Sequence, residues 1–177
     1  DSPAVSFEGP ESPMPHSETG VSDTLGISLR PEYPVYSTQT SKASFVLINQ
    51  SNRNIMCGEE YCITYEDEQG IWRKLPTDNI FFSVGYLVQP GEYRIRTASL
   101  YPEMYPNKPG RYRFLYHLTL LDTRTRIQMM TEFRLSNDEK EWKQTKKLEI
   151  PIHLTITQNS DNSATSETSA DEETSGQ

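Results

Sequence analysis

The chain has 177 residues, enough for one well-filled domain and too few for two of ordinary size. Its apolar fraction of 34% and mean hydropathy of -0.71 are low for a globular chain, which implies that part of the length stays out of a core. A formal net charge of -8 argues against nucleic acid and anionic membrane surfaces as partners, and no apolar run approaches the roughly 20 residues that a spanning helix needs.

Residues 1–23 hold Pro3, Pro10, Pro13 and Pro15 among Ser, Glu and Gly, with isolated Val5, Phe7 and Met14. Such a stretch cannot bury enough surface to offset its chain entropy, so it reads as a disordered tether. The chain opens on Asp1-Ser2-Pro3 instead of a basic and then apolar leader, which predicts a mature or trimmed protein. From Gln158 to Gln177 the apolar side chains are Ala164 and Ala170 alone, and this acidic Ser/Thr-rich tail is likewise expected to be disordered.

Between the two ends, residues 24–157 show apolar positions recurring with period two and interrupted by turn residues, the signature of an all-β sandwich or barrel. Ile27 to Tyr36, broken by Pro31 and Pro34, predicts an edge strand. Phe45 to Asn49 follows and turns at Gln50–Asn54; Tyr61, Ile63 and Tyr65 then lead into a hairpin turn at Asp67-Glu68-Gln69-Gly70. Phe81–Val88 and Glu92–Leu100 are separated by Pro90-Gly91, and Tyr112, Phe114, Tyr116 and Leu118 alternate after Pro109-Gly110. Ile127 to Leu135 is another strand, and Leu148, Ile150, Ile152, Leu154 and Ile156 give the cleanest alternation of all, with Pro151 on the opposite face marking an edge. Ser136 and Glu139 have capping-box spacing, but only Trp142 would face a core, so the stretch is expected to be a polar hairpin tip.

Asn49, Ser51, Ile55, Gly58, Tyr61, Gly70 and Trp72 stand in an order that continues through Phe81, Leu87 to Glu92, Tyr105, Pro109-Gly110-Arg111-Tyr112-Arg113-Phe114 and Thr131-Glu132-Phe133. In that order residues 27–135 resemble a family of bacterial immunoglobulin-like domains, often found in secreted proteins and lipoproteins and mostly of unknown function. The resemblance implies an immunoglobulin-like antiparallel β-sandwich of roughly seven to nine strands, held outside the cytoplasm at the cell surface or in the periplasm. It also implies a lipid anchor upstream of Asp1. The strand at 147–157 lies beyond the family pattern. Gly110 before an aromatic strand allows a sharp turn, and Tyr112 is the candidate for a tyrosine corner, its ring buried and its hydroxyl bonded to the preceding loop. Gly58, Trp72, Phe114 and Phe133 are expected to be structural.

Chemistry is sparse. His16 lies in the tether, while His117 and His153 run out of phase with the apolar rows of their strands and are expected to face solvent, so a metal site or a hydrolytic relay has no visible support. Cys57 and Cys62 would be roughly 16 Å apart in an extended chain, and a bridge would need a bend at Gly58; two free, half-buried thiols are the favoured reading. Cys57 has no basic neighbour in sequence to activate it. Glu66, Asp67 and Glu68 lack the alternating ligands of a calcium loop, and the Glu59/Glu60 and Glu139/Glu141 pairs are ordinary on an acidic surface. The stiff segment Tyr101-Pro102-Glu103-Met104-Tyr105-Pro106 carries large apolar area, and Tyr101, Met104 and Tyr105 are therefore the candidate contacts for a protein or glycan, unless Tyr105 simply plugs one end of the sandwich. The resulting expectation is a monomeric, non-enzymatic interaction or scaffold module without cofactor or metal. A carbohydrate- or peptide-binding module is the alternative, and a hydrolase is the remote one.

Overall fold

The computed structural model describes residues 20–76, 81–104 and 106–157. The expected tether before residue 20, the tail after residue 157, and Tyr105 lie outside the described residues. Two sheets pack face to face. One holds β1 (Asp23–Thr24), β2 (Ile27–Pro31), β4 (Lys42–Asn49), β9 (Glu92–Ser99) and β12 (Thr155–Ile156), side by side in that order. The other runs β3 (Val35–Ser37), β11 (Thr125–Ser136), β10 (Gly110–Leu120), β5 (Ile55–Cys57) and β8 (Tyr86–Val88). The long β10 also pairs with β6 (Cys62–Glu66), which in turn pairs with β7 (Trp72–Lys74).

Most pairings are antiparallel, but β3 joins β11 and β12 joins β9 in parallel. The predicted first segment is thus two strands in different sheets: Pro31 ends the ladder with β4, and the chain crosses over before Val35 pairs with Arg134. Proline cannot donate to a ladder, so Pro31 and Pro34 mark the place where pairing changes sheets.

Alternation places the core. Along β10, Tyr112, Phe114, Tyr116, Leu118 and Leu120 are buried on the inner face, while Arg111, Arg113, His117 and Thr119 point outward. They meet Phe45 and Leu47 of β4, and the rings of Phe45 and Phe114, one from each sheet, stack with centroids 4.0 Å apart at 5°. Phe133 closes the cluster edge-on to Phe45 at 5.1 Å. Each fully buried aromatic contributes about 1.5–3 kcal/mol by removal from water.

Three expectations change. Residues 137–144 are no hairpin tip but a short helix, α1 (Glu139–Lys143), capped by Asp138, whose side chain accepts from Lys140 N. Aspartate at that position satisfies an orphan donor of the first turn, a role that the Ser136 spacing misplaced. The Leu148–Ile156 strand is also not formed as a whole: only Thr155–Ile156 pairs with β9, after a turn in which Leu154 N bonds Pro151 O at 3.1 Å. Leu148, Ile150, Leu154 and Ile156 instead pack on Val46, Ile48 and Ile95, covering the outer face of the five-stranded sheet, and Ile152 at the turn is fully exposed at 101%. Finally, short strands such as β1, β7 and β8 raise the count above nine.

Candidate functional site

One end of the sandwich is built by the connection from β9 to β10. β9 finishes at Ser99, whose N–H is accepted by the Tyr61 hydroxyl at 3.0 Å, and Leu100 is fully buried. The chain then turns: Tyr101 sits in the left-handed region at φ 51, and Met104 N bonds Tyr101 O at 3.1 Å. A tyrosine held there costs roughly 1–2 kcal/mol, which the neighbouring prolines and the anchored Leu100 must offset. The consequence is an outward loop with Met104 48% exposed and Tyr101 half-buried.

Below the loop, Tyr112 makes the corner. Its ring is buried, its hydroxyl donates to Lys108 O at 2.7 Å and accepts from Lys108 N at 3.1 Å, and burial raises its pKa to about 12 against the lowering effect of the backbone bond. Gly110, at φ 147, has a backbone that a side chain would strain, and it delivers the chain into β10. Asn107 is tied in by Nδ2, which donates to Leu100 O at 3.0 Å. Its Oδ1 is buried and, among the described residues, meets no hydrogen-bond partner. Asn107 lines a slot of about 120 Å³ together with Tyr65, Leu75, Pro76, Pro106 and Tyr112, a lining that is chiefly apolar.

The other sequence candidates are dispersed. Trp72 lies on the outer face of the seven-stranded sheet, with the Arg113 guanidinium 3.8 Å and that of Arg111 5.3 Å from its ring centroid. Gly58 O accepts the Tyr116 hydroxyl, which also accepts from Arg94 Nε at 3.1 Å. Arg94 itself is buried and its guanidinium lies 4.0 Å from the Tyr86 ring centroid. Phe114 and Phe133 are buried in the core.

The candidates for chemistry do not converge. His117 is on the outer face of β10, as its phase predicts, and is half-buried there because it lines a hollow with Glu60, Phe82 and Val84. Desolvation holds its pKa below the ordinary value, Arg126 adds to the lowering, and Glu60 opposes both. His153 is exposed in the turn that covers the opposite sheet, so the two imidazoles stand on different sheets, and His16 is outside the described residues. Cys57 is buried and Cys62 half-buried; no disulfide joins them, and desolvation pushes the Cys57 thiol up, away from a reactive thiolate. Asp67 accepts from Gln69 N and Ile71 N and pairs with Arg73 at 2.7 Å, so it folds its own turn; Arg73 is the main cause of its lowered pKa. Glu139 pairs with Lys143 at 2.5 Å. Among the described residues no group of three His, Cys, Asp or Glu is placed to hold a metal ion.

Residues 23–140 match the family model described as a bacterial Ig-like domain. The chain belongs to that family. The match ends before the segment from Leu148 to Thr157, so the cover over the outer sheet face is an addition to the shared domain. Among solved structures, the domain is similar to a putative ApaA protein from Bordetella pertussis, with 16% identity, a TM-score of 0.40, and 68% of this chain and 98% of that one covered. It is also similar to the alkylpurine DNA glycosylase AlkC of Pseudomonas fluorescens bound to DNA containing an abasic site analog, with 16% identity and a TM-score of 0.35. That match covers 66% of this chain and 32% of the glycosylase, so the chain spans about a third of the length of the larger protein. No curated protein matches the chain.

Of the slot, only Tyr112 was legible as a candidate. Asn107, Tyr65, Leu75 and Pro76 come from three separate stretches of chain, and no local spacing joins them.

Proposed function

We propose that this Ig-like domain is a non-catalytic interaction module working outside the cytoplasm, and that its sandwich end takes an extended segment of a partner protein. The observation that carries the reading is Asn107 Oδ1, a buried acceptor without a partner among the described residues, on a side chain that lines a chiefly apolar slot. An unsatisfied buried acceptor costs about 1–3 kcal/mol, and a partner that supplies a donor recovers that cost on binding. A peptide inserting one small aliphatic side chain between Tyr65, Pro76 and Tyr112 would bring that residue's backbone N–H with it. Met104 and Tyr101 above the slot add adaptable and rigid contact area respectively. The apolar lining favours such a peptide over a sugar at this end. Family membership supports a non-enzymatic module. Placement outside the cytoplasm, with an acyl anchor upstream of Asp1, belongs to the same proposal and is checked by whether the full gene product carries a signal peptide and a cysteine there.

Selection of displayed random peptides against the chain tests the site. The expected binders carry a recurrent small apolar residue, shift the Asn107 side-chain amide resonances in the parent, and lose at least tenfold in affinity against Asn107→Leu and several-fold against Met104→Ala. Binders that leave the Asn107 amide unmoved and bind both variants as well as the parent would refute the placement, as would a selection that yields none. Thermal melts of each variant separate lost contact from lost fold.

A further inference from the structure

The outer face of the five-stranded sheet is divided. Its apolar half, Val46, Ile48 and Ile95, lies under the C-terminal cover. Its polar half continues past Ser44 and Thr97 into an open groove of about 590 Å³, walled on one side by the β2–β3 connection and on the other by α1. Tyr33 and Trp142 supply the aromatic surface of that groove, and Ser41, Lys42, Ser44 and Thr97 line it between them.

The hydrogen-bonding state of these groups points to a ligand rich in hydroxyls. Ser44 Oγ and Thr97 Oγ1 lie 2.8 Å apart and hydrogen-bond each other, with either as the donor, so they form a polar floor to the groove. Tyr36, beneath them, has its hydroxyl committed to the backbone of Ser44, which fixes that serine. Among the described residues, no protein acceptor meets Ser41 Oγ, Lys42 Nζ or the indole N–H of Trp142. Trp142 is half-exposed on a helix with no buried residue, and the Lys143 ammonium lies 5.7 Å from its ring centroid, near the outer limit of a cation–π pair. A half-exposed indole in such a place is not needed by the core.

We infer that this groove binds a pyranose saccharide. A pyranose has an apolar C–H face, which matches an indole or phenol ring, and a rim of hydroxyls that both donate and accept, which matches the Ser41, Lys42, Ser44 and Thr97 set. An apolar peptide would leave Ser41 Oγ, Lys42 Nζ and the Trp142 indole N–H unmatched. The groove shares no lining residue with the Asn107 slot, and the one link between them is Leu100, whose O accepts from Asn107 Nδ2 and whose N–H donates to Ser41 O at 2.8 Å.

The test uses the two indole N–H resonances of the chain, assigned with Trp72→Phe, while cellobiose, chitobiose and a galacturonate disaccharide are titrated in turn. The saccharide site predicts saturable movement of the Trp142 signal by at least one probe, with a Kd below about 10 mM. It also predicts at least a tenfold loss of affinity in Trp142→Ala, a several-fold loss in Ser41→Ala and Lys42→Ala, and unchanged binding in Glu68→Ala, an exposed position in the β6–β7 turn. A Trp142 signal that none of the three probes moves at saturating concentration would overturn the inference. So would binding that survives Trp142→Ala, in a variant whose melting temperature shows it folded.

Discussion

Asn49, at the end of β4, is fully buried, and each polar atom of its side chain is used. Nδ2 donates to Arg53 O at 2.8 Å and to Val88 O at 3.1 Å, and Oδ1 accepts from Ser51 N at 3.1 Å and Ser51 Oγ at 2.5 Å. The side chain therefore ties the five-stranded sheet to β8 in the other sheet through the β4–β5 turn. Asn49→Ala removes all four bonds and leaves two carbonyls without this donor. At roughly 0.5–1.5 kcal/mol per net bond the expected loss is about 3–4 kcal/mol, and for a domain of this size the melting temperature falls by about 10 °C. Asn49→Asp is the sharper variant: it keeps the acceptor toward Ser51 but turns an anionic oxygen toward two carbonyls. At pH 7 it is expected to be no more stable than Asn49→Ala, and to recover relative to it as acid protonates the new carboxyl and restores one donor. Urea unfolding followed by tryptophan emission, repeated between pH 7 and pH 4, measures both. A loss below about 1 kcal/mol for Asn49→Ala, or an aspartate variant as stable as the parent at pH 7, would refute the cross-sheet role.

Tyr112 gives a pH-dependent counterpart. Its pKa is raised to about 12 in the folded chain, so its contribution is complete below the ordinary tyrosine value and is lost as pH rises from there through about 12; Tyr112→Phe, less stable by about 1–2 kcal/mol at pH 7, is predicted to lose less stability than the parent across that window in alkaline denaturation. Leu154→Ala, which opens the cover over Val46 and Ile95, should cost about 2–3 kcal/mol in chemical denaturation and increase binding of an apolar dye, even though it lies beyond the family match. In the native chain at pH 8, Cys62 is expected to react with a thiol reagent at least tenfold faster than Cys57, which is buried with its thiol pKa pushed up; labelling of both at one rate would contradict their placement.

The rows of side chains that face each other across the sandwich were legible from period two alone, because Tyr112, Phe114, Tyr116 and Leu118 alternate with polar residues along one straight strand. The C-terminal segment shows where that signal stops. Its alternation is real, but alternation reports one apolar face and says nothing of which surface receives it. The clue lay elsewhere: Phe45-Val46-Leu47-Ile48 is an unbroken apolar run, the mark of a strand covered on both faces, and something had to lie over Val46 and Ile48. Pro151 breaks the ladder there, so the chain drapes across the sheet and joins it only at Thr155. Asn107 and the Trp142 groove had no such clue, since their partners come from β3, β4, β6, β9, β10 and the loops beside them and are brought together only by the fold.

Every placement above depends on two sheets meeting through Phe45 and Phe114. Ring-proton nuclear Overhauser contacts in a chain labelled at phenylalanine read that meeting directly. The stacked pair predicts strong contacts between the Phe45 and Phe114 rings, with weaker ones from Phe45 to Phe133. Rings of Phe45 and Phe114 that show contacts only within their own strands would contradict the sandwich.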